Sequence, residues 1–75
     1  MDINIFIEDL AKNVFTDTQR QLLSEQTEYM ELDEWTSMIA FTLISYIEST
    51  YGKRLLLPEL LQAQTIGELY QIVNC

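Results

Sequence analysis

The stretch TSMIAFTLISYIESTYG, residues 36–52, decides the fold of this 75-residue chain. Its apolar side chains recur at three- and four-residue spacing, which places them on one broad arc of an α-helix. The arc consists of Ile39, Ala40, Leu43, Ile44, Tyr46, Ile47 and Tyr51. Thr36 is a suitable N-cap, and Gly52 stands where a left-handed C-terminal residue belongs. We therefore predict a helix over Ser37–Tyr51 that buries this arc.

The segment before this helix contains a second amphipathic pattern and a long connection. Residues 2–15 place six apolar side chains on one helical face, with Asp2 as a suitable N-cap. The six are Ile3, Phe6, Ile7, Leu10, Ala11 and Val14. Residues 16–35 show no clean period, and their scattered apolar residues predict a loop packed onto the helices.

The segment after residue 52 predicts two more helices. Pro58 suits the start of a short helix that ends near Ala63. Thr65 and Glu68 form a capping-box pattern, which opens a last helix. Four short amphipathic helices can hide their apolar faces only against one another. The expected fold is all-α: a small four-helix bundle of three main helices and one short helix, forming a single domain over residues 1–75.

Composition limits the chemistry that such a domain can perform. Cys75 is the only cysteine and there is no histidine, so an internal disulfide, a structural zinc site and a His-dependent nucleophile pair are excluded. We expect a protein that is not an enzyme and has no metal site. Cys75 itself is interpreted as an exposed terminal thiol.

Charge and hydropathy limit the classes of partner that the chain is expected to bind. Twelve acidic against four basic residues give a net charge of −8, which disfavours nucleic acid and anionic membranes and attracts basic protein surfaces. No apolar run has the length of a membrane span, and the first residues do not resemble a signal peptide. We expect a cytoplasmic monomer. The acids between Glu25 and Glu34 are interpreted as a solvated run rather than a metal site.

Three residues of the central helix suggest a function. Met38 and Phe41 lie opposite the buried arc and are either scattered surface residues or a docking patch, the second being favoured. Ser37 is either a helix-start hydroxyl that satisfies a backbone N–H, which is favoured on its position alone, or the carrier of a phosphate ester at a helix N-terminus. The tyrosines are interpreted as aromatic residues at the edge of the core: Tyr29, Tyr46, Tyr51 and Tyr70.

The order of these elements resembles that of the acyl carrier protein family. The family's attachment motif is Asp-Ser-Leu, often after a hydrophobic residue, and residues 35–38 (Trp-Thr-Ser-Met) occupy its place. Residues 52–55 and 65–69 are similar to the family's later loop and last helix, so the resemblance covers nearly the whole chain. Two features differ: Thr36 replaces Asp, and Glu48 is the only acid on the central helix.

The resemblance implies that Ser37 carries 4′-phosphopantetheine, which a phosphopantetheinyl transferase moves from coenzyme A with magnesium. The chain would then hold acyl or aminoacyl groups as thioesters for fatty-acid, polyketide or related biosynthesis. Partner enzymes with basic docking patches would contact Met38, Phe41, Ser45 and Glu48. The alternative is an acidic interaction module with the same fold and no prosthetic group.

Overall fold

Four α-helices and two single-turn 3₁₀ helices form the secondary structure of residues 2–74, the part of the chain that this computed structural model describes. The α-helices are α1 (Ile3–Asn13), α2 (Ser37–Tyr51), α3 (Leu57–Gln62) and α4 (Ile66–Val73), and the 3₁₀ helices are Arg20–Leu22 and Tyr29–Glu31. No strand occurs in these residues, so the predicted all-α fold is confirmed. Cys75, interpreted above as an exposed thiol, lies outside the described residues.

The predicted bounds of the helices agree closely with the structure, with two small differences. α2 has the predicted bounds, but α1 ends at Asn13 rather than at Phe15. The N–H groups of Val14 and Phe15 both bond to the carbonyl of Leu10, which widens the last turn. α3 begins at Leu57, one residue before Pro58, because the Glu59 carboxylate accepts the Leu56 N–H at 3.0 Å. Phe15 leaves the helix and is fully buried.

The core draws apolar side chains from every α-helix and from the loop between α1 and α2. Its buried members are Phe6, Ile7, Leu10, Val14, Phe15, Leu23, Tyr29, Ala40, Leu43, Ile47, Leu55, Leu60, Ala63, Ile66, Leu69 and Val73. The predicted arc of α2 faces this core, with Leu43 and Ile47 fully buried and Ile39 half-buried at its margin. The arrangement leaves the opposite side of α2 exposed to solvent.

The loop between α1 and α2 is tied to the C-terminal third of the chain by backbone hydrogen bonds. The N–H groups of Ile66 and Gly67, at the start of α4, donate to the carbonyls of Thr27 (3.0 Å) and Glu25 (2.9 Å). A Cβ atom at position 67 would lie only 3.0 Å from the Glu25 carbonyl oxygen, so this close approach suits glycine. The prediction of a loop packed onto the helices is confirmed.

Tyr29 has a different place from the one predicted. The edge interpretation was wrong for this residue, because its ring is fully buried. Its hydroxyl donates to the carbonyls of Leu60 (2.7 Å) and Ala63, which lie at the C-terminal end of α3. Burial, and then the negative charge of Glu68, raise the pKa of the Tyr29 phenol. Tyr29 therefore fixes α3 to the loop.

Candidate functional site

The start of α2 is held by an aromatic cluster beneath it. Trp35, two residues before Ser37, packs with ring centroids 5.5 Å from Tyr29 and 6.5 Å from Phe15. Both of those rings are fully buried. Ser37, which begins α2, lies on the surface, but the chain just before it is anchored to the core through Trp35.

The hydroxyl of Ser37 takes no part in capping α2. The Thr36 side chain accepts the Ile39 N–H at 3.2 Å, and its carbonyl accepts the Ala40 N–H at 3.0 Å. Thr36 is therefore the N-cap, as predicted. Within residues 2–74 the Ser37 hydroxyl, which is exposed, forms no hydrogen bond. The capping role considered for Ser37 belongs to its neighbour.

The N-termini of α2 and α4 differ in whether their backbone donors are used. At α4 the loop carbonyls and the Thr65 side chain take the first three N–H groups. At α2 the N–H groups of Ser37 and Met38 donate to no acceptor in the described part of the chain. Unpaired donors at the positive end of a helix dipole favour an anion. A phosphate ester on Ser37 would lie beside both donors.

An open groove of about 740 Å³ extends from Ser37 along the exposed side of α2. It is lined by Asn13, Ser37, Met38, Phe41, Thr42, Ser45, Tyr46 and Ser49. The Asn13 amide donates to the Tyr46 hydroxyl at 3.2 Å, which links the end of α1 to this wall. None of the lining residues is charged, in contrast to the acidic chain as a whole. We call this the hydroxyl groove.

A second groove of about 410 Å³ lies on the other side of Ser37, between α2 and α3. It is lined by Trp35, Thr36, Ser37, Ala40, Phe41, Leu57 and Leu61. Phe41 and Ser37 belong to both grooves, so the first turns of α2 form the ridge between them. We call this the apolar groove, because beyond Thr36 and Ser37 its lining side chains carry no hydroxyl group.

Three of the four predicted docking residues lie together. Met38 is 76% exposed and Phe41 64%, as expected for side chains opposite the buried arc, and both line the hydroxyl groove with Ser45. Glu48 lies outside that groove, where Arg54 approaches its carboxylate to 3.5 Å. This exposed ion pair contributes little to stability.

Sequence reasoning missed other residues beside Ser37. Leu57 and Leu61 of α3 are 44% and 53% exposed and continue the apolar surface from Phe41. Only the packing of α3 beside α2 brings them there, so no sequence signal marks them. Thr42 and Ser49 could have been found, because their spacing from Ser45 places all three on one side of the helix.

One of the acids upstream of α2, Glu34, forms hydrogen bonds within the loop between α1 and α2. Glu34 accepts hydrogen bonds from the Thr18 hydroxyl (2.5 Å) and the Asp17 N–H (3.3 Å).

Among residues 2–74 no group of three or more acidic or cysteine side chains has the arrangement of a metal site. In the same residues no helix combines the length and apolar character that a membrane span requires.

Comparison with known proteins yields no relative. No protein-family model, curated protein or solved structure matches the chain.

Proposed function

We propose that this chain is an acyl or aminoacyl carrier in which Ser37 bears a 4′-phosphopantetheine group. The observation that carries the proposal is the state of the Ser37 hydroxyl: exposed, free of hydrogen bonds within residues 2–74 and placed at the start of the longest helix. Thr36 performs the capping that would otherwise explain a serine there. The order of helices, which resembles acyl carrier proteins, supports the same assignment.

The residues around Ser37 suit the attachment of a phosphodiester. The N–H groups of Ser37 and Met38 would face the phosphate, and the dipole of α2 favours its charge. The chain has no histidine to activate the hydroxyl, so the transferase must supply the base that accepts its proton. When bound, the group supplies a terminal thiol that holds acyl groups as thioesters. The chain itself delivers this cargo and catalyses no reaction.

Partner recognition is assigned to the exposed side of α2. Met38 and Phe41 would anchor the phosphopantetheinyl transferase and the acyl-transferring or synthase enzymes, with Ser45 and Glu48 at the edge of the contact. The net charge of −8 favours partners with basic patches and disfavours nucleic acid. Fatty-acid, polyketide or related biosynthesis in the cytoplasm is the proposed setting, with the carrier as a monomer.

Intact mass after incubation with a transferase, coenzyme A and magnesium tests the proposal. Wild type should gain one phosphopantetheine, and Ser37→Ala should gain none. Thr50→Ala is the matched control, because it removes another exposed hydroxyl of α2, lies outside the proposed docking residues and should gain the group normally. A mass gain that persists in Ser37→Ala would show that the site is wrong.

Thr36→Asp provides a second arm of the same experiment. Aspartate is also a good N-cap, so the start of α2 should persist, and the substitution restores the residue that the carrier family has before its serine. A gain in Thr36→Asp alone would mean that the wild-type chain needs a specialised transferase. If neither chain gains mass, the exposed Met38 and Phe41 favour the alternative, an interaction module without a prosthetic group.

A further inference from the structure

The side chains that line the hydroxyl groove change from apolar to hydroxyl-bearing with distance from Ser37. Met38 and Phe41 provide apolar surface next to the serine, and the hydroxyls of Ser45 and Ser49 follow farther along α2. At about 1.5 Å per residue, Ser45 is about 12 Å and Ser49 about 18 Å from Ser37 along the helix axis. The groove is therefore long, begins at the attachment residue and passes from apolar to hydrogen-bonding walls.

The hydroxyls of this groove retain capacity for further hydrogen bonds. Thr42 and Ser49 donate to the carbonyls of Met38 (2.9 Å) and Tyr46 (3.5 Å), which leaves their oxygen lone pairs available. The Ser45 hydroxyl forms no hydrogen bond within residues 2–74, so it can both donate and accept. These groups can serve amide N–H and C=O partners that lie along α2.

We propose that the hydroxyl groove is the resting site of the phosphopantetheine arm, an inference that rests on the proposed function. From its phosphate outward the arm carries a geminal dimethyl group and a hydroxyl, then two amides, then the thiol. That order matches the groove, with the dimethyl group on Met38 and Phe41, the two amides beside Thr42 and Ser45, and the thiol near Ser49. The absence of charged lining residues agrees with the uncharged arm beyond its phosphate.

The apolar groove is the poorer match for the arm. Beyond Thr36 and Ser37, the side chains of this groove offer the two amides one polar group, the Trp35 indole N–H, and Leu57 and Leu61 offer none. Removing an amide from water without a compensating hydrogen bond costs roughly 1–3 kcal/mol in proteins. The hydroxyl groove avoids this cost, because it is open to water and has hydroxyl groups at the distances from Ser37 where the amides lie.

A spin label on the arm tests this placement. In the Cys75→Ser background the arm's thiol is the only one in the loaded chain, so a nitroxide maleimide attaches there alone. Loading is first verified by intact mass. The expected result is the strongest loss of backbone amide signal near residues 45–49, with weaker loss at Leu57 and Leu61. The double variant Thr42→Val/Ser45→Ala should reduce the loss in the groove, and Thr50→Ala, exposed but outside it, should not.

The outcomes separate the two proposals. Strongest loss at Leu57 and Leu61 would overturn the inference in favour of the apolar groove. Loss spread evenly over the surface would overturn it in favour of a freely moving arm. Both results would leave the carrier function intact, because loading has already been verified by mass. A chain that no transferase loads would overturn the inference together with the proposed function.

Discussion

The replacement of Leu43 by alanine tests the orientation of α2, on which the assignment of every surface residue in the site depends. Leu43 lies near the middle of α2 and is 0% exposed. Truncation of a buried leucine costs about 2–5 kcal/mol, made up of lost apolar burial and the cavity left behind. For this fully buried leucine we expect a loss in the middle of that range, about 3–4 kcal/mol.

This loss is large beside the stability of so small a domain. At 0.05–0.15 kcal/mol per residue, a chain of this length has about 4–11 kcal/mol in total. A loss of about 3–4 kcal/mol should lower Tm by about 12–30 °C. Urea titration followed by far-UV circular dichroism measures the free energy of unfolding, and a thermal scan measures Tm.

Leu61→Ala is the matched control for this measurement. It deletes the same atoms from a side chain that is 53% exposed, so the expected change is within about 0.5 kcal/mol. If Leu43→Ala loses less than about 1 kcal/mol, or no more than Leu61→Ala, then α2 is rotated relative to the structure. Met38 and Phe41 would then no longer face outward.

Three further predictions concern the docking face, the loop and the buried phenol. Phe41→Ala should unfold like wild type but bind the transferase about 5–30-fold more weakly in calorimetry, a truncation cost of about 1–2 kcal/mol. Gly67→Ala should lower the free energy of unfolding in urea titration by about 1 kcal/mol, because its Cβ would lie only 3.0 Å from the Glu25 carbonyl oxygen. A gain in stability would show that the loop moves away from α4 to accommodate the Cβ. Because the folded pKa of Tyr29 is raised above its ordinary value of 10.0, its contribution to stability should be constant below about pH 10 and be lost above it. Tyr29→Phe should reduce that alkaline slope and lower stability at neutral pH by about 1–3 kcal/mol, since two buried carbonyls lose their donor.

The elements with strong local signals could be predicted from the sequence. The bounds of α2 follow from its apolar arc between Thr36 and Gly52, and both caps form, with φ at Gly52 of 71°. The capping box of α4 also forms, since Glu68 and Thr65 exchange hydrogen bonds at 3.1 Å. In these cases the determining interactions join residues no more than four positions apart.

Features that depend on distant contacts could not be predicted. The pattern around Tyr29 shows an aromatic residue in an irregular segment, but its burial depends on the carbonyls of Leu60 and Ala63, more than thirty residues away. The apolar groove likewise depends on how α3 lies beside Phe41. Within the site, the sequence indicated Ser37 as the central residue, and only the structure showed that its hydroxyl is not used for capping.

The hydrogen bonds between the loop and the start of α4 also determine how the chain folds. They join residues 39 and 42 positions apart, Ile66 to Thr27 and Gly67 to Glu25. Closing loops of that length carries an entropy cost that must be met before the bonds form. α4 is short and its first N–H groups depend on these distant carbonyls, so it should acquire its protection against hydrogen exchange together with the loop. The middle and the end of the chain would then become ordered in a single kinetic step, after α2 has formed its own local hydrogen bonds.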